Sequence, residues 1–156
     1  MNNSKIQRGF AQIKEGQVHF RHKGQEHAKT QAPLVMIHAS PGSAKTLEPL
    51  ITLLSTNRWV IALDTLGNGD SCAPELTEIN MVYLANAHLR ALDDLGLTSF
   101  NLYGTHTGAN IAVEIAISQP ERVQKIILDG VSLYSSEQRN EFLDCYAPDV
   151  NFDQNG

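Results

Sequence analysis

Residues 102–109, with the sequence LYGTHTGA, carry the strongest structural signal in this 156-residue chain. An apolar, strand-like run from Phe100 enters the segment, and a helix-like run from Ala109 to Ser118 leaves it. The glycines stand four apart, as in the pattern G-x-S-x-G, where a sharp strand-to-helix turn lifts one side chain above a parallel sheet. They are needed because a Cβ would clash where strand and helix backbones come close. The residue lifted by the turn is His106, in place of Ser, Cys or Asp.

Strand-like and helix-like patterns alternate through the rest of the chain. Residues 9–22 are typical of a β-hairpin, and apolar runs typical of buried strands follow at 34–38, 59–63, 99–103 and 123–128. Helical patterns separate these runs at 47–54, 78–95 and 109–118. Alternation of this kind predicts an α/β fold with a mostly parallel sheet, flanking helices and an N-terminal β-hairpin. Ligands on such sheets bind at the carboxyl ends of the strands, where 38–43, 64–71, 104–108 and 129–130 should meet.

The amino-acid composition argues against membrane-spanning, secreted and nucleic-acid-binding proteins. Hydrophobic residues make up 42% and charged residues 19%, with a net charge of −5, which favours one ordinary globular domain. No apolar run reaches the ~20 residues of a membrane span, and no secretory leader is recognisable. Lys and Arg are scattered, so we expect no nucleic-acid binding, and without a long apolar run we expect no membrane binding either. Two distant cysteines favour free thiols in a reducing cytoplasm.

His19 and His22 raise the question of a metal site. Residues three apart on a strand point to opposite faces, so this pair should not chelate a metal. We therefore expect both imidazoles to be solvated, and the sequence implies neither a metal nor a cofactor.

Four motifs in order resemble the N-terminal half of an α/β-hydrolase. Residues 38–43 resemble the family's H-G-x-P-G-S loop, with Ala39 in the place of Gly, and residues 64–71 resemble its D-x-x-G-x-G-x-S loop. Residues 104–108 match the family's nucleophile elbow apart from its centre, and residues 120–123 resemble its P-E-R-V segment. The resemblance implies a partial hydrolase core over residues 1–130, with the start of a cap segment, cut short, at residues 131–156.

The same resemblance suggests a set of site residues. Gly104 and Gly108 would be the elbow glycines, and the backbone N–H groups of Ser40 and Thr107 would form an oxyanion hole. The candidate catalytic residues are His106 and Asp129, although the simpler interpretation of Asp129 is a loop residue that hydrogen-bonds its own turn. The family's catalytic histidine follows the eighth strand, whereas all six histidines here lie at or before position 106.

Two functional interpretations remain open at this stage. In the first, the protein belongs to a hydrolase family that cleaves a small ester, amide or related bond, and this chain alone is weakly active or inactive because the C-terminal half and the catalytic histidine are missing. His106 would then act as general base or nucleophile. In the second, the fold is a non-catalytic domain that binds a small molecule or self-associates. Strand 123–128 would be an exposed edge able to pair with another copy or with a C-terminal half.

Overall fold

The computed structural model describes residues 5–74 and 79–146. Six strands form one mixed sheet in the order β1-β2-β4-β3-β5-β6. The strands are β1 Gln7–Ile13, β2 Gly16–Lys23, β3 Leu34–Ile37, β4 Val60–Leu63, β5 Phe100–Thr105 and β6 Val123–Asp129. β1 and β2 form the predicted N-terminal hairpin, and β4, β3, β5 and β6 run parallel to one another. The predicted α/β fold class is therefore confirmed.

Helices connect the parallel strands and cover both faces of the sheet. The connecting helices are α1 Glu48–Leu54, α2 Met81–Asp94 and α3 Thr107–Ser118, and a fourth helix, α4 Ser136–Tyr146, follows β6. Asn80 caps α2 by accepting a 2.9 Å hydrogen bond from the Tyr83 backbone N–H. A capping box begins α4, in which Ser135 Oγ accepts from the Gln138 N–H and the Gln138 side chain accepts from the Ser135 N–H.

Successive side chains of β5 point to opposite faces of the sheet, and each face carries its own apolar cluster. Phe100 and Leu102 are fully buried on the face that packs against α2 and α3. Tyr103 points to the opposite face, where a smaller cluster contains Met36 and Ile51. No helix in the described part of the chain combines the length and apolarity needed to cross a membrane.

The expectation of solvated histidines on β2 is wrong. His19 is fully buried and hydrogen-bonds Asp64, and His22 is 8% exposed and accepts a 3.2 Å hydrogen bond from the Trp59 indole. Burial lowers the pKa of His22 below its ordinary value. The reason is topological: β2 pairs with β1 on one side and with β4 on the other, so it is an interior strand.

β6 lies at the margin of the described sheet, with β5 as its one strand neighbour there. Its apolar side chains are correspondingly accessible: Ile126 is 38% exposed, Ile127 59% and Leu128 36%. Residues 132–142, which follow the strand, are all exposed. Residues 147–156 of the proposed cap segment lie outside the described residues.

Candidate active site

The strand-to-helix bend between β5 and α3 holds His106 in an unusual backbone conformation. Its φ of 49° and ψ of −114° make it the one non-glycine residue with positive φ in the described part of the chain. Such a conformation costs on the order of 1–3 kcal/mol and persists when its surroundings over-determine it. Here the His106 N–H donates a 2.7 Å hydrogen bond to the Asp129 carbonyl, and the His106 carbonyl accepts from Ala109 and Asn110. The imidazole is exposed and lies against the backbone of Gly130.

Two glycines allow the backbones around the bend to approach closely. A Cβ on Gly104 would lie 2.3 Å from the Gly108 carbonyl oxygen, inside the contact between β5 and α3. A Cβ on Gly108 would lie 2.2 Å from the Ile37 carbonyl oxygen at the end of β3. The beginning of α3 therefore packs directly on the end of β3, next to the loop that contains Ser40.

His38 fixes the backbone of that loop. Its Nε2 accepts a 3.0 Å hydrogen bond from the Thr65 backbone N–H, so the ring proton resides on Nδ1, which donates to the Ala39 carbonyl at 2.8 Å. The Ala39 carbonyl and the Ser40 N–H belong to one planar peptide group and point in opposite directions. The buried His38 ring thus orients the Ser40 N–H, a role that the sequence pattern did not reveal.

Asp64 joins the loop after β4 to two other segments. Its Oδ1 accepts from the Ala44 N–H at 2.5 Å, and its Oδ2 accepts from the Asp70 N–H at 3.0 Å and from His19 Nδ1 at 2.8 Å. His19, Asp64 and Asp70 bring potential metal-binding atoms within 4.8 Å of one another. Arg8, however, donates to both His19 Nε2 and the Asp70 carboxylate. The cluster is therefore a satisfied structural network.

Asp129 directs its carboxylate toward Tyr103. The Tyr103 hydroxyl donates a 3.0 Å hydrogen bond to Asp129 Oδ2, and burial, reinforced by this carboxylate, raises the pKa of Tyr103. The structure therefore places Asp129 beside His106 through backbone contacts, while the carboxylate engages a different side chain. No hydrogen bond joins the His106 imidazole to a carboxylate within the described ranges. Sequence reasoning missed the Tyr103 contact.

The backbone donors suggested for an oxyanion hole lie at the carboxyl end of the sheet. Thr107 is the first residue of α3, where a backbone N–H has no carbonyl partner within its own helix. The positive end of the α3 dipole also favours negative charge at this point. These N–H groups belong to the backbone, so their presence does not depend on which side chain stands at position 106.

Residues 32–151 match the family model of the alpha/beta hydrolase fold, which is more than half of the chain. The chain belongs to the α/β-hydrolase fold family. Two similar curated proteins are hydrolases of Pseudomonas. 2-Hydroxymuconate semialdehyde hydrolase of Pseudomonas sp. (strain CF600) is 36% identical over 101 residues, which cover 63% of this chain and 36% of that protein. A 2-hydroxy-6-oxononadienedioate/2-hydroxy-6-oxononatrienedioate hydrolase of Pseudomonas putida is 35% identical over 136 residues, or 78% of this chain and 44% of that protein.

Solved structures support the α/β-hydrolase fold independently. The epoxide hydrolase CorEH superposes with a TM-score of 0.76 at 21% identity, covering 92% of this chain and 53% of the other. The thioesterase domain from the curacin biosynthetic pathway gives a TM-score of 0.75 at 20% identity, with 91% and 53% coverage. At these identities the likeness establishes the fold alone. The chain spans less than half the length of the curated relatives named here.

Proposed function

We propose that this α/β-hydrolase domain acts on a small ester, amide or related bond, with His106 at the position from which the family's nucleophile acts, and that the chain alone is at most weakly active. The observation that carries this proposal is the strained bend at His106, which lifts an exposed imidazole above the ends of the parallel strands. The named Pseudomonas relatives are hydrolases, which favours a small-molecule substrate.

His106 would work as general base on water or as direct nucleophile, because a neutral imidazole can do either. The N–H groups of Ser40 and Thr107 would stabilise the charge that develops on the substrate oxygen, each contributing roughly 3–4 kcal/mol. Asp129 would act indirectly, through the backbone contact that holds His106. General-base assistance alone is worth on the order of 10²–10⁴ in rate, far less than an intact triad with its oxyanion hole.

The test is the hydrolysis of an activated ester, p-nitrophenyl acetate, by the purified chain. His106→Asn removes the base, and Asn tolerates a positive φ better than most residues. We expect its rate to fall by about 100-fold. His27→Asn is the matched control, since His27 is another accessible histidine, and any free imidazole gives background hydrolysis. Equal rates for the two variants would refute a catalytic role for His106.

A second candidate function is small-molecule binding without catalysis. The observation that favours it is the missing orienting group: the Asp129 carboxylate bonds Tyr103 and leaves the His106 imidazole without a carboxylate partner among the described residues. In a triad that third group holds the base in the reactive orientation. Under this proposal His106→Asn would leave ester hydrolysis unchanged.

The accessible β6 strand supports a partner proposal in either case. Exposed, apolar strand edges recruit other chains. A separately made C-terminal half and a second copy of this chain are the two candidates.

A further inference from the structure

A small polar pocket lies at the open end of the β1–β2 hairpin. It has a volume of about 40 Å³. Its lining consists of Lys5, Gln7, His22, Lys23, Gly24 and Gln25. Lys23 pairs with Val60, the first residue of β4, so the pocket lies toward the amino ends of the parallel strands. His106 follows the carboxyl end of β5, and the pocket is therefore separate from the candidate active site.

His22 lines the pocket with a ring whose proton has a fixed position. The Trp59 indole N–H donates to His22 Nδ1 at 3.2 Å, and an indole nitrogen can only donate. Nδ1 is therefore the acceptor, and the proton of the neutral ring lies on Nε2. The ring is held by packing as well, since the aromatic rings of Phe20 and Trp59 have their centres 5.4 and 6.0 Å from it. His22 thus offers the pocket a hydrogen-bond donor.

The charge around the pocket is positive. Lys5 and Lys23 each bring an ammonium group, and none of the six described residues that line the pocket is acidic. The neighbouring Glu26 carboxylate lies 3.7 Å from His27 Nε2. This local positive charge contrasts with the net charge of −5 of the whole chain. Two cations and a fixed donor favour an anion as the ligand and disfavour a metal ion.

The volume of the pocket limits the choice of anion. A cavity needs roughly 10–15 Å³ for each water molecule, so this pocket accommodates about three waters or one tetrahedral oxyanion. A phosphate group carries a charge of about −1.5 to −2 at pH 7, which the two lysines balance. Its oxygens can accept from both ammonium groups and from His22 Nε2–H together. We propose that this pocket binds a phosphate group, either as the free ion or as part of a phosphomonoester.

Trp59 provides a direct readout, because it is the one tryptophan in the sequence and its indole donates to His22. An anion that accepts from His22 Nε2–H polarises the ring and makes Nδ1 a stronger acceptor, since hydrogen bonds in a chain strengthen one another. A stronger hydrogen bond from the indole N–H shifts tryptophan emission to longer wavelength. Phosphate binding should therefore give a saturable red shift of the protein's fluorescence.

The test titrates the purified chain with sodium phosphate at pH 7.5, with sodium chloride added to keep the ionic strength constant. In the double variant Lys5→Gln and Lys23→Gln the dissociation constant should rise about 10-fold, because an exposed ion pair contributes a factor of about 2–5. The double variant Lys14→Gln and Lys45→Gln is the matched control. It removes the same charge at exposed positions outside the pocket and should bind phosphate as the wild-type chain does. Circular dichroism checks that both variants are folded.

Two further titrations define the ligand. Glycerol phosphate represents the phosphomonoesters, and the tighter of the two phosphates identifies the source of the group. Acetate, a planar anion with a single charge, should bind several-fold more weakly than phosphate. A response that does not saturate, a variant at Lys5 and Lys23 that binds as tightly as the wild-type chain, or acetate binding equal to that of phosphate would each overturn the proposal.

Discussion

His88 should make the protein sensitive to mild acid. The residue lies on α2, 2% exposed, and burial lowers its pKa from the ordinary 6.5 to about 4. Its Nδ1 donates to the Leu84 carbonyl at 2.9 Å, so the neutral ring carries its lone pair on Nε2, which is buried without a hydrogen-bond partner among the described residues. Protonation would place a charged N–H at that atom with no acceptor, which is why the folded state resists it.

The direction and size of the effect follow from linkage. Between pH 6.5 and 4 the unfolded chain binds a proton at His88 that the folded chain does not, so stability falls as the pH falls through this window. The shift of about 2.5 pKa units corresponds to about 3 kcal/mol, most of which is lost between pH 7.5 and pH 4.5. Above pH 6.5 this contribution is fully present, and below pH 4 it no longer changes.

The experiment compares urea unfolding of the wild-type chain and His88→Leu from pH 7.5 to 4.5, followed by circular dichroism at one protein concentration. Leu approximates the shape of the ring and cannot be protonated, so the pH dependence of its free energy of unfolding should be smaller by about 2–3 kcal/mol. The contributions of the other titrating groups are the same in both proteins, so they cancel when the two pH dependences are subtracted. His27→Leu, at a partly exposed histidine, should keep the wild-type dependence. If His88→Leu loses stability with acid as steeply as the wild-type chain, the assignment of acid sensitivity to His88 is wrong.

Three further substitutions test the contacts around the site. Gly104→Ala should lower the free energy of unfolding by about 3 kcal/mol or more, because its Cβ would lie 2.3 Å from the Gly108 carbonyl oxygen. Gly96→Ala is the control: its Cβ would meet nothing within 4 Å, so the substitution should cost only about 1 kcal/mol, for its positive φ. Thermal unfolding of the two variants measures the difference. Asp64→Asn should lower the free energy of unfolding in urea by about 2–4 kcal/mol, since one amide cannot accept all three hydrogen bonds. An unchanged free energy of unfolding would show that the loops keep their conformation without the carboxylate. Tyr103→Phe should cost only about 1 kcal/mol, because the partly exposed Asp129 carboxylate can bond water instead, and a larger loss in the same assay would contradict that account.

The parallel sheet was predictable because the composition of its strands distinguishes them from the rest of the chain. Buried parallel strands are continuous apolar runs, and β3 and β4 each consist of four buried residues. The glycine positions were also readable, since Gly104 and Gly108 stand at a fixed spacing between a strand pattern and a helix pattern. Both features depend on residues that are close together in the sequence, so they can be predicted from one sequence alone.

Contacts set by strand order were not predictable in the same way. His19 and His22 looked solvated because the hairpin pattern does not say that β4 will pair with β2 on its second side. The Tyr103–Asp129 hydrogen bond depends on the register between β5 and β6, 26 residues apart in sequence. A prediction from local pattern places these residues on strands but leaves their neighbours undetermined.

The bend at His106 shows how a site's backbone geometry can be independent of the residue at its centre. The positive φ is maintained by the hydrogen bond to Asp129 and by the close packing that Gly104 and Gly108 permit, and none of these contacts uses the imidazole. His106→Ser should therefore fold with unchanged thermal stability and present a hydroxyl where the imidazole stands now. A melting temperature lowered by several degrees would show that the ring's contact with Gly130 contributes to holding the turn, and that the bend depends on the side chain after all.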